Sequence, residues 1–332
     1  VNPFATLARL IGQDGAAALV TVVGARGSTP REAGARMVVS RDGAISGTIG
    51  GGRLESEAIA AAVRLAAAGT DTAEVARYAL GPALGQCCGG HVTLLAEAFT
   101  AARLDAVRDL AAAVDAGPVA VEATVSVGSP VVRRIVGPGA ARPSAALDHG
   151  RLTETIGVAR RPLFLYGAGH VGRAVVLALA PLPFDVTWVD ERADMFPGAV
   201  PRTVRCVATD RPEAVAAEAP GDAFTLIMTH DHDADLRILH AVLAGPARAY
   251  VGLIGSATKR ARFERRLVEA GLPRAVATAF RCPVGVPGIT SKEPAAIAAS
   301  VAADLLVADE AAQGAGRGTR PLLAAVGPVG GG

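Results

Sequence analysis

Apolar and polar positions follow two different rhythms along this chain, and the change falls near Arg160-Arg161-Pro162. Upstream, Ala16 to Gly24 is an unbroken Val-rich apolar run, the pattern of a buried strand. Arg36 to Ser40 and Ala44 to Thr48 flank Arg41-Asp42-Gly43, and Asp-Gly between two such runs predicts a hairpin. Leu54, Ile59, Val63 and Leu65 approximate helical spacing behind a triple glycine. Glu74 to Leu80 and His91 to Phe99 predict strands on either side of a loop. A helix over residues 101–116 then leads to three strand-like runs, Val119 to Val127, Val131 to Val136 and Leu152 to Val158. Residues 1–158 therefore read as an α+β domain with a mostly antiparallel sheet.

Downstream, short apolar runs alternate with helical stretches. Leu163 to Gly167, Asp185 to Asp190, Val204 to Val207, Ala223 to Met228 and Ala249 to Ile254 are the strand candidates. Val171 to Ala180 and Asp235 to Leu243 are two of the helices between them. That alternation predicts an α/β, Rossmann-like doubly wound parallel sheet over residues 159–311. Its last helix, Pro294 to Ala308, starts behind Ser291 as a cap. Residues 312–332 are rich in Gly, Pro and Ala without periodicity and read as a loose tail.

Composition narrows the classes. The chain has 332 residues, 51% hydrophobic, with mean hydropathy +0.36, enough for two cores. No uncharged apolar run approaches the roughly 18 residues of a membrane span; the nearest, Ala295 to Ala308, contains Asp304. Val1-Asn2-Pro3-Phe4 lacks a basic segment and a long apolar one, so the expectation is a cytoplasmic protein. Net charge is +2 with both signs interspersed, which argues against nucleic acid and membrane surfaces as partners. Four cysteines without a Cys-x-x-Cys pair exclude a secreted disulfide framework.

Three glycine-rich segments carry the chemistry. Gly167-x-Gly169-x-x-Gly172, with His170 inside it, follows Leu163-Phe164-Leu165-Tyr166 and opens a helix; the next strand ends at Asp190. This is the dinucleotide-binding fingerprint: glycines for the turn, for approach to a pyrophosphate and for helix packing, and an acid for a ribose hydroxyl. The fold can also persist without its nucleotide. Gly50-Gly51-Gly52-Arg53 also follows an apolar run and opens a helix, where outward N–H groups favour an anion. The hairpin can bring it back to Arg26-Gly27-Ser28-Thr29-Pro30-Arg31. Amides, hydroxyls and the forks of Arg31 and Arg53 would suit a phosphate or a flat heteroaromatic; ordinary turn chemistry is the alternative. In Gly85-Gln86-Cys87-Cys88-Gly89-Gly90, adjacent thiolates could ligate a soft metal or hold sulfur, or could be two reduced thiols in a tight turn. Thr229-His230-Asp231-His232-Asp233 ends a strand; it offers either a divalent-metal pair or a helix cap with Asp233 at its start.

These segments, in this order, resemble the xanthine dehydrogenase accessory protein (XdhC/CoxI) family. The matching pieces are Gly27-Ser28-Thr29-Pro30-Arg31-Glu32-Ala33-Gly34, Gly47-Thr48-Ile49-Gly50-Gly51-Gly52-Arg53-Leu54-Glu55 and Leu84-Gly85-Gln86-Cys87-Cys88-Gly89-Gly90. Further on come the Gly167 loop and Asp190, then Val251-Gly252-Leu253-Ile254-Gly255-Ser256 with Lys259. The resemblance implies a cofactor chaperone without catalysis of its own. Such a protein would bind the molybdenum cofactor (molybdopterin), assist its sulfuration by a cysteine desulfurase and insert it into xanthine dehydrogenase, as a homodimer. Binding would fall to Arg31, Gly50, Gly51, Gly52, Arg53, Gln86, Cys87 and Cys88, the two thiols nearest the metal, with a nucleotide at Gly167, Gly169, His170, Gly172 and Asp190. The competing class is an NAD(P)-dependent oxidoreductase built on the Rossmann loop.

Overall fold

The computed structural model describes residues 2–80 and 89–314. Contacts divide the chain into two compact units, Val1–Ala159 and Arg160–Gly332. The architecture is α/β, with antiparallel sheets in the first unit and a parallel Rossmann sheet in the second.

The first unit runs α1 (Pro3–Asp14), β1 (Ala16–Arg26), β2 (Arg36–Ser40), β3 (Ile45–Gly47), α2 (Gly52–Ala67), β4 (Thr72–Ala79) and β5 (His91–Thr100). It continues with α3 (Leu104–Ala116), β6 (Val119–Thr124), β7 (Val132–Pro138), β8 (Ser144–Asp148) and β9 (Arg151–Ile156). Two sheets form here, ordered β3-β2-β1-β5-β4 and β7-β6-β9-β8. The continuous apolar run of β1 follows from burial on both faces. Ala18, Val20 and Val22 pack under Leu54, Ala58 and Ala62 of α2, while Ala17 and Leu19 pack with Phe4, Leu7 and Ile11 of α1. Helix α1 begins at an Asn2 side chain that accepts from the Phe4 and Ala5 amides, and ends at left-handed Gly15.

A buried ionic lattice joins the two sheets. Arg133 of β7 donates from both Nη atoms to Glu97 of β5 (2.8 and 2.6 Å) and from Nε to Glu154 of β9 (2.7 Å). Arg36 of β2 donates to the other Glu154 oxygen at 2.8 Å. All four side chains are at most 5% exposed. Burial pushes the Glu154 carboxyl up, but Arg133 and Arg36 beside it pull it further down, so its net value lies below the usual range.

The second unit contains β10 (Arg161–Tyr166), α4 (His170–Leu179), β11 (Phe184–Asp190), β12 (Val204–Ala208), α5 (Pro212–Glu218), β13 (Phe224–Ile227), α6 (His232–Ala244), β14 (Tyr250–Leu253), α7 (Ala257–Glu269), α8 (Arg274–Ala277) and α9 (Pro294–Gly314). The parallel order β12-β11-β10-β13-β14 reverses direction between β10 and β13, where open α/β sheets bind ligands at their carboxyl edge. Leu163 and Leu165 pack against α4 and α9, and Phe164 and Tyr166 against α6 and α7. Helix α9 extends to Gly314, so residues 312–314, read from sequence as tail, are helical. Just past Ala308, where the sequence ends the helix, α9 holds buried Asp309, which pairs with Arg161 Nε at 2.9 Å. Asp304, the charge that interrupts the apolar run, is a buried anchor that accepts from Tyr250 Oη at 2.6 Å and the Gly285 amide at 3.2 Å.

Candidate functional site

In the first unit, the Gly27 loop, Gly50 and Gly89-Gly90 meet where β1 ends. A β-carbon on Gly90 would lie 2.3 Å from the Ser28 carbonyl oxygen and 2.6 Å from that of Arg26. Gly27, at φ +73°, faces the Gly90 Cα in turn, and Leu80 donates to the Gly90 carbonyl at 2.8 Å. Gly50, at φ +127°, lies under Pro30: a β-carbon there would sit 2.5 Å from Pro30 Cγ and 3.6 Å from Arg31 Cγ. Only glycine allows these approaches. Ser28, Arg26 and Arg31 are exposed at this junction, and neither Arg26 nor Arg31 has an ion pair among the described residues. Gln86, Cys87 and Cys88 lie outside the described residues; Gly89 and Gly90, which follow them, belong to the junction.

The triple-glycine loop is organised differently from a simple anion seat. Glu55 Oε2 accepts from Thr48 Oγ1 (2.6 Å), the Ile49 amide (3.0 Å) and the Gly51 amide (3.2 Å). Thr48 Oγ1 also accepts from the Gly50 amide at 3.0 Å. A carboxylate of the chain itself thus occupies donors that sequence reading assigns to a ligand, reaching back to the helix start as in a capping box. Partial burial raises the Glu55 pKa and these hydrogen bonds lower it by more, leaving it below the usual value. Arg53 makes an exposed pair with Glu57 at 2.9 Å.

In the second unit the Gly167 loop has the geometry its sequence implies. Gly167, at φ +113°, approaches β13 so closely that a β-carbon would lie 2.3 Å from the Met228 carbonyl oxygen. One on Gly172 would lie 2.1 Å from the Gly167 carbonyl. At Gly169 a β-carbon would meet nothing within 4 Å, and no side chain caps α4, which leaves its positive end open at the sheet edge. His170 is exposed in the first turn. Asp190 is buried at the end of β11, where its Oδ2 accepts from the Ala168 amide at 2.6 Å. Its Oδ1 accepts from Arg192 N and Nε, each at 3.0 Å, and Oδ2 also accepts from Arg192 Nη2 at 3.2 Å.

His230 and His232 do not form a metal centre: among the described residues no group of three or more His, Cys, Asp and Glu is placed to hold an ion. The cap is Asp231 rather than Asp233, accepting from the Asp233 and Ala234 amides at 3.1 Å each. His232 instead contacts Arg262, with 3.1 Å between Nδ1 and Nη2.

Two family models match the chain. One is the XdhC and CoxI family, over residues 10–79; the other is the XdhC Rossmann domain, over residues 163–305. The chain belongs to the XdhC and CoxI family. The Escherichia coli (strain K12) protein YqeB, itself described as uncharacterized, is 29% identical over 325 residues. That match covers 92% of this chain and 46% of YqeB, so the chain spans about half the length of this curated relative. A crystal structure described as a xanthine dehydrogenase from Bacillus halodurans shares the fold: TM-score 0.74 at 22% identity, covering 94% of this chain and 96% of that one.

Within this XdhC/CoxI chain the first model takes in the Gly27 and Gly50 loops, and the Rossmann model takes in Gly167 to Asp190. Cys87 and Cys88 fall between the two matched stretches. Sequence reading gives no role to Glu55, Arg192 or Asp235. The signals were present as spacing: an acid four residues after Gly51, and an arginine two after Asp190. Asp235 is fully buried in α6 and accepts from Thr229 Oγ1 (2.7 Å), Thr229 N (3.0 Å) and Lys259 Nζ (2.5 Å). Lys259 also donates to the Ile254 carbonyl at 3.0 Å, so this pair ties the loops after β13 and β14 together. No helix among the described residues is long and apolar enough to cross a membrane.

Proposed function

We propose that this chain is a maturation factor for xanthine dehydrogenase, not an enzyme in its own right: it binds the molybdenum cofactor, protects it through sulfuration and hands it to the dehydrogenase. Membership in the XdhC/CoxI family supports the class of function. The observation that carries the cofactor reading is the convergence of Gly27–Arg31, Gly50 and Gly90 at one junction. Backbone exposed by glycine, a serine hydroxyl and the exposed guanidinium groups of Arg26 and Arg31 are the partners a pterin phosphate needs. Glu55 fixes the Thr48–Gly51 backbone and leaves recognition to Ser28, Arg26, Arg31 and the segment preceding Gly90. When bound, the cofactor supplies a molybdenum centre held by sulfur, and Cys87 and Cys88 are soft ligands suited to its neighbourhood. The Gly167–Gly172 loop holds a nucleotide, with Gly169 leaving the approach open. The same reading makes a cysteine desulfurase and a second copy of the chain its other partners.

A variant carrying Cys87→Ser and Cys88→Ser tests the thiol role. With the melting temperature unchanged, activation of a client dehydrogenase should fall at least several-fold. Full activation by the folded variant would remove the thiols from the mechanism.

A further inference from the structure

Asp190 stands where a dinucleotide fold keeps the acid that accepts the adenosine ribose hydroxyls, yet it has no accepting capacity left. A carboxylate offers about four lone-pair positions. The Ala168 amide and three Arg192 donors, N, Nε and Nη2, take four hydrogen bonds from it at 2.6 to 3.2 Å. A ribose diol arriving here would have to displace one of them. Arg192 is in the opposite state. Its guanidinium has five N–H groups, two of them bound to Asp190, and the side chain is 36% exposed.

The turn that carries Arg192 is fastened in place. Arg173 of α4 donates to the Met195 carbonyl at 2.6 Å, and Phe196 packs edge-on against buried Trp188 with ring centres 5.2 Å apart. Besides Asp190, two acids adjoin this guanidinium. Glu191 is paired with Arg237 at 3.6 Å, and Asp194 is exposed to solvent, where its effect is screened. A pre-oriented guanidinium fork suits a phosphate dianion and cannot accept from a hydroxyl.

We propose that the Rossmann crevice selects a nucleotide carrying a phosphomonoester on its adenosine ribose over the plain dinucleotide, with Arg192 reading that phosphate. This rests on the reading of Gly167–Gly172 as a nucleotide seat. Asp190 then positions the arginine, and the arginine positions the ligand.

The test titrates the full chain with NADP+ and, separately, NAD+ by calorimetry. NADP+ should bind at least tenfold more tightly. Arg192→Ala should bring the two within about twofold, chiefly by weakening NADP+, and Arg192→Lys, which keeps charge without the fork, should fall between. The preference should also shrink below about pH 6, where a phosphomonoester loses its second charge. Equal or tighter NAD+ binding, or a preference that survives Arg192→Ala, overturns the proposal while leaving the nucleotide seat standing. Binding of neither probe to the folded chain overturns the seat and the proposal together.

Discussion

Replacing Arg133 by methionine should destabilise the first unit by about 3–5 kcal/mol, the cost of removing one member of a buried ionic cluster. The loss strands Glu97, which takes both Nη donors and is 1% exposed, and leaves Glu154 with Arg36 alone. The double variant Glu97→Leu/Arg133→Met should recover much of the loss, because a buried pair replaced by apolar side chains costs little. Amide hydrogen exchange along β5 and β9 is the appropriate measure, since the only tryptophan, Trp188, lies in the second unit. The acid limb provides a second reading. With its folded pKa held below the unfolded one, Glu154 contributes stability that is complete above about pH 4.5 and is lost as pH falls through the folded value. Arg133→Met should flatten that limb. An unchanged exchange pattern and an unchanged acid limb would mean the lattice is not what joins the sheets.

Gly90→Val should weaken cofactor binding about a hundredfold or more while the chain remains folded. The added β-carbon, 2.3 Å from the Ser28 carbonyl, must push the Gly27–Arg31 loop outward. Overpacking of this kind costs about 1–3 kcal/mol of stability. Loss of two charge-assisted contacts, each about 1.5–3 kcal/mol, accounts for the larger effect on binding. Equilibrium titration with purified cofactor, beside a melting curve, separates the two. Wild-type affinity in the variant would place the cofactor away from this junction.

Much of the fold is legible in the sequence because particular residues state it locally. The Asp42-Gly43 turn, the Val-rich β1 run and the spacing from Gly167 to Asp190 each fix an element without help from distant parts of the chain. Other elements depend on partners. Helix α7 buries only Phe263 and Leu267, a single i,i+4 apolar pair set among arginines. Strand β7 is largely exposed and β8 is short, so the sequence suggests one antiparallel sheet where two form. Helix α1 is the avoidable omission: Asn2, Pro3 and Gly15 mark both ends, and Phe4, Leu7 and Ile11 give its period. At the junction, the meeting of the Gly50 and Gly27 loops can be anticipated from the hairpin between them. The inward turn of Glu55 cannot, because the same spacing suits a solvent-facing acid in the first turn of a helix. The pairing of Asp190 with Arg192 is likewise a matter of side-chain direction.

Whether the chain carries the cofactor is read from its own pterin content. The full chain, purified from cells that make the molybdenum cofactor, is denatured and oxidised, and its fluorescent pterin product is quantified against protein. The amount should approach one pterin per chain and fall to background in Gly90→Val. Pterin no higher than in an unrelated protein purified alongside would contradict cofactor carriage.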